Sequence, residues 1–367
     1  MKVRLIDHQC DCLGLIRTGL VGSILAFAPI LGAQPAGAAE AGPADTGKVT
    51  NTIEIAPGDA PQDKEIAPHK ERETLPQPTT RDNPFNVPRL ELTREAAYSA
   101  YQRGYYLTAF DFATRLAGQG DVAAQTLLGE LYYRGLGVER DVKEAASWFE
   151  LAAAEKDAEA EFALGLLYAR GQGVDKNTDK AIELFEKAAA QGQKHAQFNL
   201  GLIKLEGQLA RQDLNEAIDL LTQSANQGLA DAQYTLANIY RSQLFPTPEL
   251  DKAAYWMLQA AKSGFADAQL EYGLMLFSGK GVAKNYDMSR AWIEQAAKSG
   301  HVLAQNRLAR MLARGYGAPA DPVKAAEYYL LSKRAGKHDD WLENFFTQLP
   351  DADKQKALAD LSDKSLW

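Results

Sequence analysis

The chain has 367 residues, with 40 basic and 48 acidic side chains and a net charge of −8. No Lys/Arg-rich stretch supplies the basic face that nucleic-acid binding requires, so that class of partner is excluded. Cys10 and Cys12 are the only cysteines, too few and too close to the start for a disulfide framework.

The first element is a leader. Lys2, Arg4 and Arg17 precede an apolar run of 14 residues from Thr18 to Leu31, followed by Ala36-Gly37-Ala38. This order predicts a secretory signal peptide over residues 1–39. The run is shorter than the ~20 residues of a membrane span. The mature chain is therefore expected to be periplasmic or secreted, without cysteine and without a stable transmembrane segment.

Residues 40–92 read as a Pro-rich disordered linker. Eight of the 15 prolines lie between Glu40 and Arg89, charges of both signs alternate, and no apolar period emerges to offset the entropy of ordering. An aromatic between prolines, in Pro84-Phe85-Asn86-Val87-Pro88, is either an inert part of this spacer or a short partner motif.

From residue 121 a period of 36 governs the chain. Ala124, Ala160, Ala196, Ala232, Ala268 and Ala304 keep step without a slip. So do the columns beginning at Leu128, Gly129 and Ala145. Six copies fill residues 121–336. Within a copy, Ala124, Leu128, Leu131 and Tyr132 share one helical face, and Gly135-Leu136-Gly137-Val138 ends that helix. Asp141 with Glu144 caps a second helix, which turns Ala145, Trp148, Phe149 and Ala152 inward. Such a pair cannot bury its own stripe, and stacking the copies does so continuously.

These residues resemble the Sel1-like repeat family, relatives of the tetratricopeptide repeat with a longer glycine-containing loop. The family pattern is nearly complete at Ala124–Ala153 and Ala160–Gly192, and looser at Ala268–Gly300. The resemblance implies an all-α, right-handed α/α solenoid of helix–turn–helix units acting as a protein-interaction scaffold. Residues 93–120 look like a shorter tetratricopeptide-type opening unit. Residues 337–367 leave the repeat, and Trp341, Phe345, Phe346 and Leu349 form the apolar stripe of a helical C-terminal cap. The fourth copy replaces the glycine loop by Gln243-Leu244-Phe245-Pro246-Thr247-Pro248. Its Phe245 is either an exposed contact tip or folded onto its own helix pair.

Enzyme signatures are nearly absent. Gly273 to Gly281 ends in Gly279-Lys280-Gly281, but it lacks the Ser/Thr and the preceding strand of a phosphate loop. His8, His69, His195, His301 and His338 have no metal-ligand spacing, so no metal or cofactor is expected. His195 and His301 are expected as polar surface residues near first-helix starts. His338-Asp339-Asp340 reads as an acidic helix start. Some cysteine-rich Sel1 relatives are credited with binding β-lactam or cell-wall compounds. That implies a hydrolase alternative, although this chain lacks their disulfides.

The columns that packing leaves free are the candidates for a partner surface. One runs Thr126, Phe162, Phe198, Tyr234, Leu270 and Asn306; a second contains Leu205 and Phe277; Leu166, Leu202 and Leu274 lie between. Phe162, Leu166, Phe198, Leu202, Leu205, Tyr234, Leu270, Leu274 and Phe277 form either an apolar groove for a protein or peptide partner or an inner layer of core. For the family, the resemblance implies adaptor roles in envelope assembly, exopolysaccharide signalling or host contact.

Overall fold

The computed structural model describes residues 91–207, 211–245 and 247–364. The expected leader at 1–39 and all but the last two residues of the linker at 40–92 lie outside them. Among the described residues there are sixteen helices and no strand. Helices α1 (Arg94–Gln102) and α2 (Tyr106–Ala117) precede six pairs. The pairs are α3 (Val122–Arg134) with α4 (Val142–Ala154), α5 (Ala158–Arg170) with α6 (Thr178–Ala190), and α7 (Lys194–Gly207) with α8 (Arg211–Asn226). They continue as α9 (Ala230–Arg241) with α10 (Leu250–Lys262), α11 (Ala266–Ser278) with α12 (Tyr286–Lys298), and α13 (Val302–Arg314) with α14 (Pro322–Arg334). Helices α15 (Asp340–Gln348) and α16 (Asp351–Lys364) follow. From α1 to α15 each helix packs on its neighbours in chain order, the contact pattern of an all-α solenoid, and α16 packs back on α14.

Local chemistry sets the helix ends. Asp121, Asp157 and Asn177 accept backbone N–H bonds from Ala124, Ala160 and Lys180 at 2.9, 2.8 and 3.0 Å. Asp141 accepts from both Lys143 and Glu144. These caps satisfy donors that a helix start leaves without intrahelical partners. Gly171 ends α5 in the left-handed region, at φ 67°, which costs glycine no Cβ clash. Two residues on, Gly173 has φ 71°, and a Cβ there would run into the carbonyl of Val142 in the preceding copy. The loop glycines therefore serve two joints, one within a pair and one between pairs.

The core alternates thick and thin. Phe149, Phe185, Leu221, Met257, Ile293 and Tyr329 stand 36 residues apart and are all fully buried. Full burial of such a side chain contributes roughly 1.5–3 kcal/mol. The facing column is small: Gly129, Gly165, Gly201, Ala237, Gly273 and Ala309. Ser289 replaces the alanine of the second-helix column and is buried. Its Oγ donates to the carbonyl of Gly273 at 2.7 Å, so the hydroxyl is not left unsatisfied.

Two irregular regions have their own packing. In the fourth loop, Phe245 is half-buried and stacks on Tyr240, with ring centroids 5.7 Å apart and planes 9° from parallel. It folds onto its own helix pair and is not an exposed tip. At the other end, Leu342 is fully buried on Tyr329 and Ala309, while Leu349 and Ala357 pack on Ala326. Trp341, Phe345 and Phe346 are half-buried, and Trp341 stacks on Phe345 at 5.9 Å. Leu342 and Ala357 are thus the deepest residues of this segment, although both stand outside the expected stripe.

Candidate interaction surface

The expected columns divide. Phe162 and Leu166 are 1% and 0% exposed, and Phe198 and Leu270 are also buried. For these four the structure decides for core. The small residue at the Gly165 column lets helices approach closely, and the next first helix closes over the position. Phe162 accordingly lies 5.8 Å from the ring of Phe185 and 5.8 Å from that of His195 on α7. Leu202, Leu205, Tyr234, Leu274 and Phe277 are half-buried. Leu202, Leu205 and Tyr234 border one core cluster, and Leu274 and Phe277 the next. The ring of Tyr234 lies 5.0 Å from that of Phe265, and Phe277 lies 4.9 Å from Tyr286 and 5.2 Å from Tyr316. What remains for a partner is a set of partly open apolar side chains on α7, α9 and α11. It is not an unbroken track from the second copy onward.

The polar members of these columns change along the stack. Near its start, Glu130 is buried and ion-paired with Arg134. Burial is the largest influence on its carboxyl, raising its pKa despite the arginine. Glu159 is also raised by burial and accepts a bond from Gln193 at 3.1 Å. Burial pushes the Tyr101 hydroxyl up to about 12. In the last copy two first-helix columns turn basic. Arg310 stands where Glu130, Leu166, Leu202, Asn238 and Leu274 stand in earlier copies, and Arg307 follows Leu127, Ala163, Asn199, Thr235 and Glu271.

The histidines take structural positions. His195 departs from the expected polar surface role. It is half-buried on Phe162, and burial, with a smaller push from Lys194, lowers its pKa to about 4. His301 caps α13, its Nδ1 accepting from the N–H of Ala304 at 3.2 Å and its Nε2 lying 3.0 Å from Asp267. Asp339 caps α15, accepting from Leu342 at 3.1 Å, and receives two bonds from Arg310 at 2.8 and 2.6 Å. Arg310, the Leu342 backbone and Asn306 together hold its carboxyl at about 2, against the opposing effect of burial. Gly279, at the end of α11, is a left-handed helix end, as an ordinary repeat loop requires. Among the described residues no group of histidines and carboxylates could hold a metal ion. None of their helices is long and apolar enough to cross a membrane.

A cavity of about 460 Å³ beside this last copy has no counterpart in the expected columns. It is lined by Leu303, Asn306, Arg307, Arg310, Lys337, His338, Asp339, Asp340 and Trp341. Arg314 lies over the Trp341 ring, 4.3 Å from its centroid. The available signal in the sequence is the i, i+3, i+7 spacing of Arg307, Arg310 and Arg314 on one helical face.

The Sel1 repeat family matches residues 122–157, 158–193, 194–229, 230–265, 266–301 and 302–337. The fold is similar to the crystal structure of a protective antigen present in uropathogenic Escherichia coli strains displaying an SLR fold. That match has 28% identity and a TM-score of 0.58, and it covers 72% of this chain and 59% of that one. A Sel1 repeat protein from Oxalobacter formigenes matches at 26% identity and a TM-score of 0.55, over 67% of this chain and 98% of the other. No curated protein matches the chain. With six contiguous repeats spanning more than half of its length, the chain belongs to the Sel1 repeat family.

Proposed function

We propose that this chain is an exported scaffold that binds a protein partner along its first helices, in the periplasm or outside the cell. Sel1 repeat proteins generally act as protein–protein interaction scaffolds. The observation that carries the reading onto this chain is the contrast between columns. The columns of Ala124, Leu128 and Gly129 repeat in kind from copy to copy, whereas Leu202, Tyr234, Leu274 and Phe277 stay partly open in columns that change in size and charge. Export rests on the charged start, the apolar run Thr18–Leu31 and the small residues Ala36-Gly37-Ala38. A role in envelope assembly or exopolysaccharide signalling fits such a location.

The test is crosslinking in cells followed by mass spectrometry, comparing the native chain with Leu202→Ser and Leu274→Ser. The expected outcome is a defined partner, lost in variants whose circular dichroism and melting stay close to native. A protein with no stoichiometric partner in any compartment overturns the scaffold reading. Met1 at the N-terminus of the mature protein overturns cleavage of the leader.

A further inference from the structure

The cavity beside α13 is half-open and combines cationic with apolar side chains. One of its cations is committed to the fold, since Arg310 is bonded to Asp339, while Arg314, outside the lining, covers the Trp341 ring. Arg307 and Lys337 line the cavity without an ion pair among the described residues. With Arg310 and Asp339 cancelling, Arg307 and Lys337 face Asp340 alone, so the local field is positive in a chain whose net charge is −8. The walls also present apolar surface, through Leu303, which is 48% exposed, and half-buried Trp341. Arginine and an indole at a concave site are the side chains that dominate protein recognition.

We propose that this cavity binds the carboxylates of an acidic peptide segment of a partner protein, with Arg307 and Lys337 meeting the charge and Leu303 and Trp341 an adjoining aliphatic side chain. The inference deepens the scaffold reading and rests on it for the class of partner. A peptide fits better than a polyphosphate or nucleic acid. Asp339 and Asp340 on the wall oppose a densely charged ligand but tolerate single carboxylates spaced along a chain. The volume lies within the ordinary range for small-ligand sites, about 300–1,000 Å³, enough for a few side chains. Carboxylates from Asp or Glu side chains and from a chain end share this chemistry, and the experiment separates them.

The purified full chain is applied to arrays of random-sequence peptides carrying Glu or Asp at alternate positions, with free or amidated ends, beside neutral and basic arrays and an inorganic polyphosphate competitor. Acidic peptides are expected to be retained above neutral ones, and the Arg307→Glu/Lys337→Glu variant to lose at least tenfold in affinity with an unchanged melt. Arg103→Glu/Lys143→Glu makes the same change in net charge far from the cavity and is expected to leave binding intact. Loss on amidation assigns the chain end, and indifference assigns side chains. Equal retention of acidic and neutral arrays, equal loss in the control variant, or preferential binding of polyphosphate overturns the proposal. If crosslinking finds a partner that Arg307→Glu/Lys337→Glu still binds, the scaffold reading stands and this pocket falls. Acidic-peptide binding without any cellular partner supports the pocket and overturns the scaffold reading.

Discussion

A Cβ placed on Gly165 would lie 2.7 Å from Cε1 of Phe185. The fully buried ring thus occupies the space that any larger residue would need. The same relationship joins Gly129 to Phe149 and Gly273 to Ile293, whereas the fourth copy sets Ala237 opposite the flexible Met257.

Gly165→Ala is accordingly expected to destabilise the chain. The helix-propensity gain of about 1 kcal/mol is outweighed by overpacking of roughly 1–3 kcal/mol. Combining it with Phe185→Met reproduces the pairing of the fourth copy. The double variant should be less destabilised than the sum of the two single changes. Urea melts of all four proteins measure the coupling, and strict additivity would refute the steric account.

Burial separates the candidate surface residues by their cost. Leu166→Ala should lose about 2–5 kcal/mol and Phe162→Ala about 3–5 kcal/mol, because both side chains are enclosed. Half-buried Leu205 and Leu274 should lose less than about 2 kcal/mol when cut to alanine. Denaturant midpoints rank the four, and a Leu274→Ala loss equal to that of Leu166→Ala would place it in the core.

The pKa of His195 provides a pH signature. Its imidazole is held near 4 in the fold, against 6.5 when unperturbed. Between those values the unfolded chain carries a proton that the native chain does not. Stability from this site is complete above pH 6.5 and falls by about 3 kcal/mol as pH drops to 4. His195→Gln should flatten that slope, as thermal melts at half-unit pH steps would show. An unchanged slope would mean that the ring is protonated in place.

Arg310 and Asp339 give a second, more acidic signature. The aspartate is held at about 2 instead of 3.8, so its stabilisation is present above pH 4 and is lost as pH falls toward 2. Arg310→Ala should raise the acid limit of the C-terminal helices and cost roughly 1.5–3 kcal/mol at neutral pH, since two charge-assisted bonds disappear. Acid titration followed by hydrogen exchange in α15 reads both effects.

These cases show which features are legible in a one-dimensional pattern. Ala124, Leu128 and Gly129 recur because every copy meets an identical neighbour, so period and helix-pair architecture follow from spacing alone. Phe162 has no such repeat of kind: the next first helix encloses it, beside His195, 33 residues downstream. Helical spacing places a side chain on a face but cannot say whether the following copy covers that face. Arg310–Asp339 joins the last repeat to a segment outside the period, and the cavity beside it depends on that junction. Leu342 escapes the pattern because it lies past the last repeat, where no earlier copy shows which residue meets Ala309 and Tyr329.

The caps and loop glycines make the length of the stack a discrete quantity. A recombination event that removed residues 158–193 would join Asp157 to Lys194. Asp157 would still stand one residue before a first helix, and the enclosed column would pass from Phe149 to Leu221 in step. Any loss that is not a multiple of the period would put polar residues into that column and set loop glycines against side chains. Gene rearrangement can therefore lengthen or shorten the stack in whole units, while the basic cavity next to Arg310 stays fixed at the terminal unit.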